Sequence, residues 1–188
     1  YKPEIIRDYF GNGAKFGASI TYSYEPQLLG TGGGAKKIAE FLSDEEDFMI
    51  HYGDIVTDQN FRDMALFHAK HDGLATLLLH KRAQSNSVVT LDESHRIISF
   101  LERPSVDERR DMRSPWVNSG ICICRREFLN LIPEGTVCDL ARDIFCHSIA
   151  LHNFFGFFLS GFRCAVDSAE RLSELRNAVQ NGQLHIAK

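Results

Sequence analysis

Phe48-Met49-Ile50-His51-Tyr52-Gly53-Asp54 decides how this chain is read, because an apolar run passes straight into Gly-Asp and then into the polar turn Thr57-Asp58-Gln59-Asn60. A short apolar run bounded by turn residues reads as a buried strand. A carboxylate at the carboxyl end of such a strand is where open α/β sheets place ligands and metal ions. Asp is also favoured in turns for its local hydrogen bonds, so Asp54 by itself is either a turn residue or a ligand.

Strands and helices alternate outward from that stretch. Upstream, a helix is expected over 3–10, with Pro3 in its first turn and Gly11 and Gly13 at its exit. Ala18 to Tyr24 alternates and is rich in β-formers, which predicts a strand. The loop Glu25 to Gly30 leads into Thr31-Gly32-Gly33-Gly34, and a helix follows from Ala35 to Leu42. Downstream, a helix over Phe61 to His71 carries Met64, Phe67 and His68 at helical spacing, and Ala75 to Leu79 returns as a strand. The alternation predicts an α/β fold with a mainly parallel sheet covered on both faces.

The second half begins with a hairpin, Val88 to Leu91 and Ile97 to Leu101 around Asp92-Glu93-Ser94-His95-Arg96. A charged loop, Ser105 to Ser114, precedes the strand Trp116 to Cys124. Helices are expected around Arg126 to Leu131 and Asp139 to Ala150, then a Phe-rich strand and hairpin over Phe154 to Phe162, then a last helix from Ala169 to Gln180. With no repeat, low-complexity segment or linker, residues 1–188 read as one domain. The abrupt opening, from Tyr1 directly into helical material, predicts a further strand-loop-helix unit upstream of residue 1.

Composition narrows the class. At 188 residues, 44% hydrophobic and 24% charged, the chain is long enough to bury a real core. A net charge of −4 argues against a general nucleic-acid binder, which needs a basic surface. The five cysteines include no C-x-x-C pair and predict reduced thiols in a cytoplasmic protein; Cys122 and Cys124 alternate on one strand and read as packing residues. No signal peptide is visible, and no apolar run reaches the length of a membrane span. Oligomeric state is left open, a homo-oligomer included.

Several residues can carry chemistry. Glycines at a helix start let a ligand approach the amides, and a helix N-terminus favours negative charge, although taken alone Thr31-Gly32-Gly33-Gly34 reads as a turn. There is no Walker A lysine and no G-x-G-x-x-G, which excludes a P-loop and a dinucleotide fingerprint. Asp167 ends a strand just before Ser168-Ala169-Glu170, as a helix cap or as a second carboxylate for Mg²⁺. Glu102-Arg103-Pro104 and Asn118-Ser119-Gly120 supply a carboxylate, a guanidinium and an amide, which are the groups that recognise a sugar phosphate.

Taken in order, Leu29-Gly30-Thr31-Gly32-Gly33, His51-Tyr52-Gly53-Asp54, Leu101-Glu102-Arg103-Pro104, Val117-Asn118-Ser119-Gly120-Ile121 and Val166-Asp167-Ser168 resemble the sugar-1-phosphate nucleotidyltransferases, especially the mannose-1-phosphate and heptose-1-phosphate guanylyltransferase-like members. The resemblance runs through nearly the whole chain. It implies a Rossmann-like three-layer (GT-A-like) fold with Leu29 to Gly33 near the nucleotide base, Asp54 and Asp167 as catalytic Mg²⁺ ligands, and Glu102, Arg103, Asn118 and Gly120 around the sugar phosphate. The implied reaction passes a nucleoside monophosphate from a nucleoside triphosphate, with GTP favoured, to a sugar 1-phosphate. The chain departs from the family in three places: the glycine-rich triphosphate signature would lie before Tyr1, Arg103 stands where Lys is common, and Asp167-Ser168-Ala169-Glu170 replaces Asp-Ile-Gly-Thr. The departures motivate a second expectation, a non-catalytic homologue that binds a nucleotide sugar as a regulator.

Overall fold

The computed structural model describes residues 2–82, 85–112 and 114–184. Helix α1 (Pro3–Phe10) starts on proline, where no amide partner is needed, and ends at Gly11. Helix α2 (Gly30–Lys37) contains the glycine run and does not wait for Ala35. The run from Phe48 is β1 (Asp47–His51), followed after a turn at Tyr52 by the short β2 (Ile55–Thr57). Asn60 caps α3 (Phe61–His68) by accepting from the Arg62 amide at 3.0 Å. Next come β3 (Ala75–Lys81), the hairpin β4 (Ser87–Leu91) and β5 (Ile97–Glu102), α4 (Val106–Met112) and the long β6 (Trp116–Arg125). A 3₁₀ turn (Arg126–Leu131) and a π-helical stretch (Leu140–Phe145) lead into α5 (Cys146–Ser148), β7 (Phe154–Phe158), β8 (Arg163–Ala165) and α6 (Ala169–Gln180).

The main sheet runs β5-β4-β6-β3-β7, with β1 also on β6, and β2 pairs with β8 in a second, two-stranded sheet. Strand β6 takes β3 along one edge. Its residues Ile121 to Arg125 pair with β1, while Trp116 pairs with β4. The partner thus changes around Ser119, which leaves a crevice there. The α/β, Rossmann-like architecture is as expected, but the pairing differs from a mainly parallel sheet: among the described residues only β3 and β7 pair in parallel. Strand β6 runs against β1, β3 and β4 and separates strands that point the same way.

Both faces of the sheet are covered, as the unbroken apolar run of β3 requires. Successive strand residues face opposite sides. Leu77, Leu79, Cys122 and Cys124 join Phe128, Leu140, Phe145 and Phe154 in one core cluster, so the two cysteines do pack as expected. Leu78, Ile121 and Ile123 join Met64 and Ile55 on the other side. Thr76, wholly buried, shares its hydroxyl between His68 Nδ1 and His71 Nε2, each at 2.8 Å. Burial holds both imidazoles neutral, with His71 lowered to about 4; the neighbouring His68 and Arg125 also oppose its charge.

Other differences have local causes. Ala18 to Tyr24 forms no strand, because no described strand offers it a ladder. The charged segment after Pro104 forms α4, started by a capping box in which the Ser105 amide donates to Glu108 at 2.8 Å and the Glu108 amide donates to Ser105 Oγ at 3.3 Å. The Phe-rich segment is no hairpin: β7 lies parallel on β3, and the chain then crosses to β8 in the small sheet.

Candidate functional site

A cavity of about 610 Å³ lies at the crevice where β6 changes partner. Gly120 bends the strand there with φ +78, and a Cβ at this position would lie 2.9 Å from the Tyr52 ring. The bend is tied by Asn118 Oδ1, which accepts from the Gly120 amide at 3.2 Å, and by the Gly120 carbonyl, which accepts from the Tyr52 amide at 3.0 Å. On the β4 side, Ser87 Oγ accepts from the Asn118 amide at 2.9 Å. These bonds set Asn118 and Gly120 in the cavity wall.

Asp54 and Asp167 line the same cavity from one end of the antiparallel β2–β8 pair, Asp54 just before β2 and Asp167 just after β8. The Asp54 carbonyl accepts from the Val166 amide at 2.7 Å, which fixes the two segments together. Neither carboxylate takes a hydrogen bond from another described residue. The cap of α6 is Ser168, whose Oγ accepts from the Arg171 amide at 3.2 Å, so Asp167 is not spent on capping. Two such carboxylates suit a hard cation that completes its shell with phosphate oxygens and water. Among the described residues, no group of three or more His, Cys, Asp or Glu side chains is gathered for a metal.

Glu102, the last residue of β5, also faces the cavity. Burial pushes its carboxyl up, Asp139 adds to the effect, and Arg103 opposes it. Arg103 itself is exposed and is not in the wall; it turns outward at φ 52, with its amide bonded to the Asn86 carbonyl.

The glycine run lies one step away from the cavity. The amides of Gly32 and Gly33 donate to the Cys138 carbonyl at 2.8 and 3.2 Å, so they are not open to a ligand. A Cβ on Gly32 would lie 2.8 Å from Cys138 Sγ, and one on Gly33 would lie 2.6 Å from the Thr136 carbonyl. Close packing against 136–138 explains the glycines. Leu29 serves the same junction, its carbonyl accepting from the Cys138 amide at 2.8 Å. Gly30 and Thr31 border a smaller cavity of about 400 Å³ that shares Tyr52 with the first. Thr31 Oγ1 donates to Asp139 Oδ2 at 3.1 Å and accepts from the Leu140 amide at 2.8 Å. Asp139 lines the main cavity, so Thr31 acts on it indirectly.

Sequence reasoning missed Tyr52, His80, Arg82, Asp139 and Arg163, all in the wall. His80 Nδ1 meets Ser119 Oγ at 2.9 Å; burial lowers its pKa to about 4, helped by Arg163 and Arg82, so the ring is neutral. Burial pushes the Tyr52 phenol upward. The available signal for Arg163 was periodicity: Arg163 and Ala165 alternate on one face of β8, two residues apart and followed after two more by Asp167.

A sheet crevice lined by carboxylates, an amide and arginines has the groups that can hold a phosphate ester. The profile described as "Nucleotidyl transferase" matches residues 1–144, and the chain belongs to that family. It is similar to the UTP–glucose-1-phosphate uridylyltransferase of Synechocystis sp., 33% identical over 156 residues that cover 76% of this chain and 39% of the relative. It is also similar to the mannose-1-phosphate guanylyltransferase of Mycobacterium tuberculosis, 29% identical over 147 residues, 77% of this chain and 39% of the relative. The chain thus spans about two fifths of the length of these relatives. In fold it matches HddC from Yersinia pseudotuberculosis complexed with GMP-PN, with TM-score 0.75 and 15% identity over 95% of this chain and 75% of that one. It likewise matches a putative glucose-1-phosphate thymidylyltransferase from Bacillus anthracis, with TM-score 0.77 and 16% identity over 98% of this chain and 74% of that one.

Proposed function

We propose that the complete protein transfers a nucleoside monophosphate from a nucleoside triphosphate to a sugar 1-phosphate, with GTP as donor, in nucleotide-sugar synthesis in the cytoplasm. The observation that carries the reading is convergence: Asp54, Glu102, Asn118, Gly120 and Asp167, spread over more than half the chain, meet in one cavity. The names of the relatives support the substrate class, and the guanylyltransferase among them supports GTP. No helix among the described residues is long and apolar enough to cross a membrane.

In the proposed reaction a phosphate oxygen of the sugar 1-phosphate attacks the α-phosphorus. A new P–O bond forms, the bond from the α-phosphorus to the bridging oxygen breaks, and pyrophosphate leaves with that electron pair. Such chemistry asks a protein for alignment and charge neutralisation more than for a covalent catalyst. Asp54 and Asp167 would hold Mg²⁺, which when bound supplies charge neutralisation. Glu102 accepts from sugar hydroxyls, and the amide NH₂ of Asn118 donates, its oxygen being committed to Gly120. The test is pyrophosphate release by the full-length protein with Mg²⁺, across nucleoside triphosphates and sugar 1-phosphates. Release in no combination would sink the transferase reading, whereas release with UTP and not GTP would overturn the donor alone.

A further inference from the structure

Arg163 lines the cavity wall and is not half of an ion pair among the described residues. Its Nε and Nη2 both donate to the Ser119 carbonyl, at 3.3 and 3.1 Å. Ser119 is fully buried, and its hydroxyl is held by His80. The guanidinium is therefore aimed by a rigid point of β6, the residue between Asn118 and Gly120. No carboxylate of the described residues is ion-paired with it. Burial disfavours its charge, the like charges of Arg82 and Arg171 add to this, and Asp54 and Cys164 offset it only in part. Arg163, partly desolvated beside the exposed Arg82 and in no ion pair among the described residues, raises the free energy of the empty site; a bound anion lowers that cost.

The anion's chemistry follows from the neighbours. A guanidinium anchored through one edge keeps donors for a second partner, and its planar fork matches phosphate oxygens. Asn118 and Gly120 flank the anchoring residue, and Glu102 supplies an acceptor for hydroxyls in the same cavity. A phosphate carrying a sugar meets all of them.

We propose that Arg163, aimed by Ser119 and assisted by Arg82, grips the phosphate of the sugar 1-phosphate. The assignment rests on the transferase reading for the identity of the ligand. Arg163→Gln is the test variant, because glutamine keeps an N–H donor for the Ser119 carbonyl while removing the charge. Calorimetric titration of the full-length protein with glucose 1-phosphate and mannose 1-phosphate should show affinity falling about 10-fold or more, the loss of one charge-assisted contact. The KM for sugar 1-phosphate should rise by a similar factor, and that for the nucleoside triphosphate should stay put. Arg82→Met, which leaves the Ser119 anchor intact, should weaken sugar-phosphate binding in the same direction by less, and a thermal melt reports whether each variant is folded.

Wild-type affinity in a folded Arg163→Gln overturns the assignment, as does an equal loss of nucleotide binding. So does a wild-type protein that binds neither sugar 1-phosphate nor inorganic phosphate. If the wild type binds sugar 1-phosphates, loses them in Arg163→Gln and yet releases no pyrophosphate, the transferase reading falls and the phosphate assignment stands.

Discussion

Replacing Thr31 by valine removes one oxygen atom and keeps the branched shape, so its consequences can be worked from two hydrogen bonds. Thr31 Oγ1 accepts from the Leu140 amide at 2.8 Å and donates to Asp139 at 3.1 Å. Leu140 is wholly buried, so no water can reach its amide when the hydroxyl goes. An orphaned buried donor costs about 1–3 kcal/mol. The Asp139 carboxylate stays partly satisfied, because its Oδ1 still accepts from the Arg142 amide at 2.9 Å. The sum is about 2 kcal/mol, which for a chain of this size lowers Tm by about 4–8 °C. Differential scanning calorimetry of the full-length protein measures this, with Thr31→Ser as control because serine restores the oxygen. A second readout is sugar-phosphate affinity, which should weaken as Asp139 loses one of its two anchors on the cavity wall. A Thr31→Val protein melting within about 1 °C of wild type, or a Thr31→Ser protein as unstable as the valine variant, would refute the reasoning.

Asp54→Asn should lower pyrophosphate release by about 100-fold or more while leaving the melting temperature close to wild type, since the carboxylate is exposed and takes no hydrogen bond from the described residues; steady-state kinetics beside a thermal melt check both. Gly32→Ala should cost about 1–3 kcal/mol, because its Cβ would meet Cys138 Sγ at 2.8 Å and the Cys138 carbonyl at 3.1 Å; urea midpoints read the loss. Acid should destabilise the fold through His71, whose pKa is lowered to about 4 and therefore lies below its unfolded value near 6.5. The unfolded chain takes the proton first, so this contribution is intact above about 6.5 and is lost as pH falls toward about 4. Urea midpoints followed from pH 7 to 4 should fall, and the slope should be shallower in His71→Gln.

The order of elements was largely legible from sequence, because β1, the β4–β5 hairpin and α6 carry their own periodicity and punctuation. Residues of the candidate site were legible where a motif follows or ends a strand, as with Asp54 after β1 and Glu102 at the end of β5, or bends one, as with Asn118 and Gly120 inside β6; all four line the cavity. What escaped depends on distant partners. Gly32 and Gly33 read as a ligand cradle until 136–138 is seen packed on them. Arg163 and His80 matter because both converge on Ser119, a meeting that no local pattern announces. Ala18 to Tyr24 has strand periodicity but no ladder, whereas Ser105 and Glu108 did announce α4 and were masked by the charges around them.

Strand β6 behaves as the stem of a fork. Strands β1 and β4 branch from it on the same edge without being paired to each other, and the cavity occupies the angle between the prongs. The width of the site is thus set by how far the two prongs splay, and each prong can pivot without breaking the other's ladder. A ligand that touches the Asp54 side and the Ser87–Glu102 side at once ties the prongs together. Its affinity therefore contains the stiffness of the stem at Ser119 to Gly120, and substitutions there would change how firmly every substrate is held, whichever group on the substrate they face.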